Sequence, residues 1–180
     1  MAESSFLNPA KAVRAAKISE GMHVADFGAG SGFFTRAAAR AVGEGGVVWA
    51  VDVHRDMLPR LKALAAAEGL HNVEVIHGDV ERAEGSHLPA EKFDFVIVAN
   101  LLFSCENKNA TVAEIRRVLR RNSRALVVDW SGSFGGLGPH QEQVVSAQSA
   151  QKLFEDAGFS YIEDIPAGAY HWGFLIRKKT

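Results

Sequence analysis

The sequence predicts an α/β fold: a mostly parallel sheet with helices on both faces. Three observations carry that expectation. Short apolar runs alternate with stretches of helical periodicity from Val24 to about Ala157, the pattern of repeated βαβ units. The first run ends in the glycine cluster Gly28-Ala29-Gly30-Ser31-Gly32, which opens into a helix. The tail changes character, with runs Phe159 to Ile165 and Tyr170 to Arg177 joined by Pro-Ala-Gly-Ala, which predicts an antiparallel pair at one edge of the sheet. At 180 residues the natural count is a single domain, 1–180, with no linker to divide it.

Taken in order, Asn8 and Pro9 begin a helix around Phe6 to Ile18 as cap and first-turn proline. The first strand is His23 to Phe27. A helix over Phe33 to Val42 follows, with Phe34, Ala37, Ala38, Ala41 and Val42 at helical spacing and Gly43 as its stop. Gly46 to Val53 is the second strand. Asp56 to Glu68 places Met57, Leu61, Leu64 and Ala65 on one helix face, and Val73 to Ile76 is the third strand. Val80 to Lys92 is polar and reads as a connection with one helical turn; Phe93 to Ala99 is the fourth strand. The periodicity of Val112, Ile115, Val118 and Leu119 predicts a helix over Lys108 to Arg121, its end crowded by Arg116, Arg117, Arg120 and Arg121. Cations there complement the helix macrodipole, so they are read as a solvated face. Arg124 to Trp130 is the fifth strand, Ser131 to Pro139 a loop with four glycines, and Gln143 to Ala157 the last helix.

Composition closes off several functions. With 20 Lys and Arg against 21 Asp and Glu, no global charge attracts polyphosphate, and nucleic acid is not the expected partner. No apolar stretch is long enough to span a bilayer, so membrane insertion is not expected. One cysteine cannot form an internal bridge, and the protein is expected in the cytoplasm.

The chemistry concentrates at the strand ends. In Val24-Ala25-Asp26-Phe27-Gly28-Ala29-Gly30-Ser31-Gly32-Phe33, glycines allow positive φ or close approach of a nucleotide-type ligand. A dinucleotide fingerprint would need glycine or alanine at position 33, and Phe33 stands there, which argues against NAD. Asp26 can face a ligand cation, or instead cap the following helix. Asp52 ends the second strand, where a carboxylate accepts from both ribose hydroxyls. Asp79 can accept from an exocyclic amine, or serve as a turn residue. All three acids fall at the carboxyl edge of the sheet, where open α/β folds bind ligands.

On these residues the chain resembles the class I S-adenosylmethionine-dependent methyltransferases, with VADFGAGSG, AVDVHRDML, HGDVE, FDFVIVANLL and EIRRVLRRNSRALVVDW similar to five family motifs in order. The nearest flavour is the small-molecule group that includes quinone-biosynthesis enzymes. The resemblance implies a Rossmann-like three-layer sandwich with a seven-stranded, mostly parallel sheet whose last strand is antiparallel. It implies S-adenosylmethionine as cofactor, with Asp52 on the ribose, Asp79 on the adenine, and the backbone at Gly28 and Gly30 receiving the methionine part. Asp26, Ala29, Val53, Met57, Val80 and Asn100 complete the implied donor site. The 1–20 segment would cover it. A departure is Arg121-Asn122-Ser123, where relatives carry a Pro-Gly-Gly-like bend.

The acceptor is narrowed by absences. Asn100-Leu101-Leu102-Phe103 is not the Asn-Pro-Pro-Tyr type that clasps an amino nitrogen, and Cys105 lacks the preceding proline of enzymes that attack pyrimidine carbon. Asp129-Trp130 replaces the Asp-Asn pair of metal-dependent relatives, and no metal is expected. A small-molecule acceptor is the leading expectation, with a protein or RNA methyltransferase and a non-catalytic donor-binding module as alternatives. His171, Asp129 and His140 are the candidate catalytic groups, and Trp130 and Tyr170 the candidate acceptor walls. Strand alternation allows only one of His171 and Trp172 to face the site.

Overall fold

The computed structural model describes residues 6–180. Its sheet runs β3-β2-β1-β4-β5-β7-β6. The strands are β1 (His23–Phe27), β2 (Val47–Asp52), β3 (Val73–His77), β4 (Phe93–Ala99), β5 (Leu119–Trp130), β6 (Phe159–Asp164) and β7 (His171–Lys178). β1 to β5 pair in parallel, and β7 lies between β5 and β6, antiparallel to both. The order turns back on itself beside β1, between β1 and β4, and that switch point fixes where a crevice opens at the carboxyl ends of the strands.

Alternation along the strands divides the core in two. Val24, Ala50, Ile97 and Leu126 face α1 (Pro9–Ala15), α2 (Phe33–Val42) and α3 (Met57–Ala67). Phe27, Val51, Val98 and Val127 face α4 (Lys108–Val118) and α5 (Ala147–Asp156). Strands buried on both faces explain their nearly continuous Val and Ile runs. Asn8 caps α1 as expected, its Oδ1 accepting from Lys11 N at 3.0 Å. The segment expected to cover the donor site falls partly on residues 1–5, outside the described residues. Among the described residues no helix is long and apolar enough to cross a membrane.

The structure departs from the sequence reading at four places. The helix expected to run to Arg121 stops at Val118, because Leu119 is drawn into the ladder opposite Phe93. Arg120 and Arg121 are therefore strand residues, paired with Asp94 and Glu91, and only Arg116 and Arg117 lie in the last helical turn. Between Leu119 and Arg124 the chain bulges opposite Asp94, with Asn122 at φ 61; this is the bend the Arg-Asn-Ser departure makes. The last helix begins only at Ala147, where the Ser146 side chain accepts from Ser149 N at 3.1 Å. Gln141–Gln143 forms a separate single turn.

The fourth departure is the 80–92 connection, which has no helical turn; Glu84, His87 and Glu91 are left-handed. Tertiary contacts hold it there. Glu114 of α4, almost fully buried, accepts from Glu84 N at 3.1 Å, Ser86 N at 3.2 Å and the Ser86 hydroxyl. Arg117 donates to Glu114 at 2.7 Å and to Leu88 O at 2.7 Å. Burial alone would raise the Glu114 carboxyl, but the Arg117 and Ser86 hydrogen bonds outweigh it and hold it below its ordinary value. Glu114→Gln is expected to cost about 2 kcal/mol in urea unfolding at neutral pH. A depressed carboxyl gives stability that is present above its ordinary value of 4.5 and lost as pH falls through the lower folded value. The gap between Glu114→Gln and the native protein should therefore narrow in acid; a gap that stays constant would contradict the assignment.

Candidate active site

The glycine turn leaves β1 at Phe27 and enters α2 at Phe33. Gly32 has φ 79, and a Cβ there would stand 2.5 Å from Leu61 Cγ, so glycine is dictated by both backbone and packing. Gly30, at φ 52, differs: a Cβ would meet no protein atom closer than 3.9 Å and would instead project into open space. Its N–H donates to Asp52 Oδ2 at 2.8 Å, which ties the turn to the end of β2. Asp52 Oδ1 accepts from His54 N at 2.8 Å and lies 3.0 Å from His54 Nδ1.

Two cavities open at the carboxyl edge. One, of about 520 Å³, is walled by the glycine turn, the ends of β2 and β3, and the chain after β4. Gly28, Gly30, Asp52 and Val53 line it with Met57, Asp79, Val80 and Asn100, eight of the ten positions implied for the donor. Asp79 is half-exposed there; its Oδ1 accepts from Glu81 N at 3.0 Å and its Oδ2 meets Arg82 Nε at 2.8 Å. An adenine amine would therefore share this carboxylate with a solvent-exposed guanidinium.

The second cavity, of about 530 Å³, lies on the other side of the turn and holds the remaining two, Asp26 and Ala29. Apolar side chains dominate it: Phe6 and Leu7 before α1, Phe33 and Phe34 of α2, Ala99 and Trp130. Gly28, Gly30 and Asn100 line both spaces, so the two meet at these residues. Asn100 is left-handed at φ 54, its N–H is fixed to Val128 O at 2.9 Å, and its Oδ1 is buried without a partner.

His171, the first residue of β7, closes the wall. Its ring centroid is 4.2 Å from that of Trp130, its cross-strand neighbour, and both ring nitrogens are buried with no protein partner. Burial pushes the imidazole below its ordinary value, so it is neutral at pH 7 and free to accept a proton. Trp172 points the other way, stacks on Phe174 and donates to Val145 O at 2.9 Å.

Asp26 is buried at the cavity floor and accepts from Thr35 Oγ1 at 2.6 Å. Burial pushes its carboxyl up to about 7, the Asp52 charge adds to the rise, and the Thr35 hydrogen bonds resist it. A carboxyl raised in the folded state favours folding in acid, and that advantage is lost as pH climbs from 3.8 through about 7. Asp26→Asn should therefore melt higher than the native protein at pH 8.5, with the difference shrinking toward pH 5; equal shifts at both would refute the burial argument.

Other candidate residues lie elsewhere. Asp129 is fully buried and lines neither cavity. Alternation turns it away from Trp130, and it accepts from Trp130 N at 2.8 Å and Phe103 N at 3.2 Å, which ties β5 to the chain after β4. Burial pushes it up to about 6. His140 is exposed, caps the Gln141–Gln143 turn and reaches neither cavity. Tyr170 sits just outside the wall, its ring 5.1 Å from Phe6 and 5.0 Å from Phe134, so it joins the N-terminal segment to the glycine-rich loop. Phe34 and Ala99 were legible only as helix and strand core, although both line the second cavity. Among the described residues no group of three or more His, Cys, Asp or Glu side chains could hold a metal ion.

A family model described as a methyltransferase domain matches residues 18–167. The chain belongs to the class I S-adenosylmethionine-dependent methyltransferases. This methyltransferase is 34% identical over 116 residues to the ubiquinone/menaquinone biosynthesis C-methyltransferase UbiE of Burkholderia vietnamiensis, which covers 64% of the chain and 46% of that enzyme. The chain thus spans about half the length of the curated relatives it matches. A SAM-dependent methyltransferase from Aquifex aeolicus superposes with a TM-score of 0.86 at 28% identity, covering 96% of this chain and 90% of that one. The [4+2]-cyclase SpnF, at 15% identity and a TM-score of 0.77 over 94% of this chain and 79% of its own, shares the fold alone. S-adenosylmethionine is the cofactor of the methyltransferase. The first cavity fits it: Gly30 leaves space that a Cβ would fill, and Asp52 stands at the end of β2 with a carboxylate to accept hydroxyls.

Proposed function

We propose that this methyltransferase transfers a methyl group from S-adenosylmethionine to a small-molecule acceptor held in the second cavity, by in-line displacement. The observation that carries the reading is the junction of the two cavities at Gly28, Gly30 and Asn100, the second of them lined by a histidine whose ring nitrogens have no protein partner. When bound, the donor supplies a methyl group on a positively charged sulfur, an electrophile that needs no further activation. The chain's task is alignment and exclusion of water, worth roughly 7 to 11 kcal/mol in well-oriented reactions. Asp52 and Asp79 hold the adenosine part, Met57, Val53 and Val80 pack around it, and Asp26 and the glycine turn face the methionine part. Trp130, Phe34 and Ala99 orient the acceptor, and His171 takes its proton where it arrives protonated. Asp129 supports this wall from behind.

Acceptor size supports a small molecule: about 530 Å³ admits a compact ring system and no folded partner. The relationship to a quinone-biosynthesis C-methyltransferase agrees with a small acceptor. The free, buried Cys105 thiol suits the reducing cytoplasm, where we place the reaction of what we take to be a single domain. The test is incubation with methyl-labelled S-adenosylmethionine and cell extract, separated into metabolites, protein and RNA. Label in the metabolite fraction is expected. Label confined to protein or RNA, or no transfer at all by a protein that binds the donor, would overturn the proposal.

A further inference from the structure

The second cavity does not end at Phe33. A shallower groove of about 260 Å³ continues from it between α1 and α2 and shares Leu7, Pro9 and Phe33 with it. Phe33, Arg36, Ala37 and Arg40 form its α2 wall, positions three and four apart on one helix face. Phe33 is 62% exposed, a large apolar floor with little over it. Beyond it the only charged lining residues among the described residues are Arg36 and Arg40.

Among the described residues the two arginines face one carboxylate. Both guanidinium groups share the single carboxylate of Glu68: Arg36 Nε lies 3.5 Å from Oε1, and Arg40 takes Oε2. Arg36 is only 12% exposed and lies over the Phe33 ring, 5.2 Å from its centroid, yet among the described residues its terminal nitrogens donate no hydrogen bond. A guanidinium offers five N–H donors in a planar fork suited to an oxyanion, and the unused donors of Arg36 open onto the groove's solvent side, free for a ligand. Among the described residues the cavity itself carries no cation other than a protonatable His171, so a negative group on the acceptor would be drawn outward along the groove.

We infer that the groove is the outer half of the acceptor site, and that the acceptor is a compact ring with an anionic tail, a carboxylate, sulfonate or phosphate, that crosses Phe33 to reach Arg36 and Arg40. The inference rests on the second cavity being the acceptor site. Two dyes with the same ring system probe it: anilinonaphthalene sulfonate and uncharged N-phenylnaphthylamine, titrated by fluorescence with and without saturating S-adenosylhomocysteine. The sulfonate is expected to bind roughly tenfold tighter, the equivalent of a charge-assisted hydrogen bond. Arg36→Gln/Arg40→Gln should abolish that preference and leave the neutral dye unchanged; should the pair fail to fold, the exposed Arg40→Gln alone should reduce it. Ala99→Leu, which narrows the inner cavity, should weaken both dyes alike. Equal affinities in the native protein, a preference that survives the arginine changes, or indifference to Ala99→Leu would each overturn the inference. The thermal shift on adding S-adenosylhomocysteine reports the donor site independently, so loss of the enzymatic reading is distinguishable from loss of this one.

Discussion

Asp52→Ala is expected to weaken S-adenosylmethionine and S-adenosylhomocysteine about 100-fold, measured by titration calorimetry, because two charge-assisted hydrogen bonds of about 1.5 kcal/mol each are lost. A carboxylate offers about four acceptor positions, and Asp52 directs some of its own to Gly30 N and His54 N. On the proposed reading it works twice, as a ligand group and as the clasp that holds the glycine turn against β2. Asp52→Asn separates the two roles. Its amide oxygen can still accept from Gly30 N while the charge is gone, so an intermediate loss is expected. The melting-temperature rise at saturating donor should fall in the same order, since selective binding to the native state is what raises it. Unchanged affinity in Asp52→Ala would remove the donor assignment of the first cavity.

The second large effect is on turnover. His171→Ala should lower kcat by a factor of roughly 100 to 10,000, the usual worth of a positioned base, with donor affinity unchanged. Loss of the ring also opens a void beside Trp130. His171→Gln, closer in size, controls for that, and it should keep stability without restoring turnover. Because burial holds the imidazole below its ordinary 6.5, turnover should be flat with pH around neutrality and fall only as the medium becomes acid enough to protonate the ring. Full turnover by His171→Ala on an identified acceptor would eliminate the base.

Much of the lining of the first cavity was legible because its parts are local. Gly28 and Gly30 directly follow one strand, Asp52 ends the next, and each such unit has its own periodicity and glycine punctuation. The second cavity was less legible because its wall comes from five separated places: the segment before α1, the start of α2, the end of β4, the end of β5, and the first residue of β7. Asp129 illustrates the difficulty. It ends a strand at the correct edge, yet a one-residue alternation turns it away from the cavity and into backbone amides. His140 failed for another reason: a polar residue in a loop has no periodicity to betray that it will cap a turn.

The helix boundary at Val118 makes the same point from energetics. Local apolar spacing continued the helix through Leu119, but pairing with Phe93 and the ion pairs of Arg120 and Arg121 outweighed a propensity worth a few tenths of a kcal/mol per residue. The left-handed turns of the 80–92 connection likewise depend on Glu114, which stands about thirty residues away in the chain.

The sequence by itself determined the layered α/β architecture, the glycine turn and the carboxylate at the end of the second strand, since these follow from periods of 2 and 3.6 and from what glycine alone permits. Tertiary structure alone decided which histidine reaches the cavity, which acid is a tether, and that an apolar groove leads from the site to two arginines sharing one glutamate. Those depend on the facing of side chains from strands and helices far apart in the chain, and sequence carries no direct measure of that.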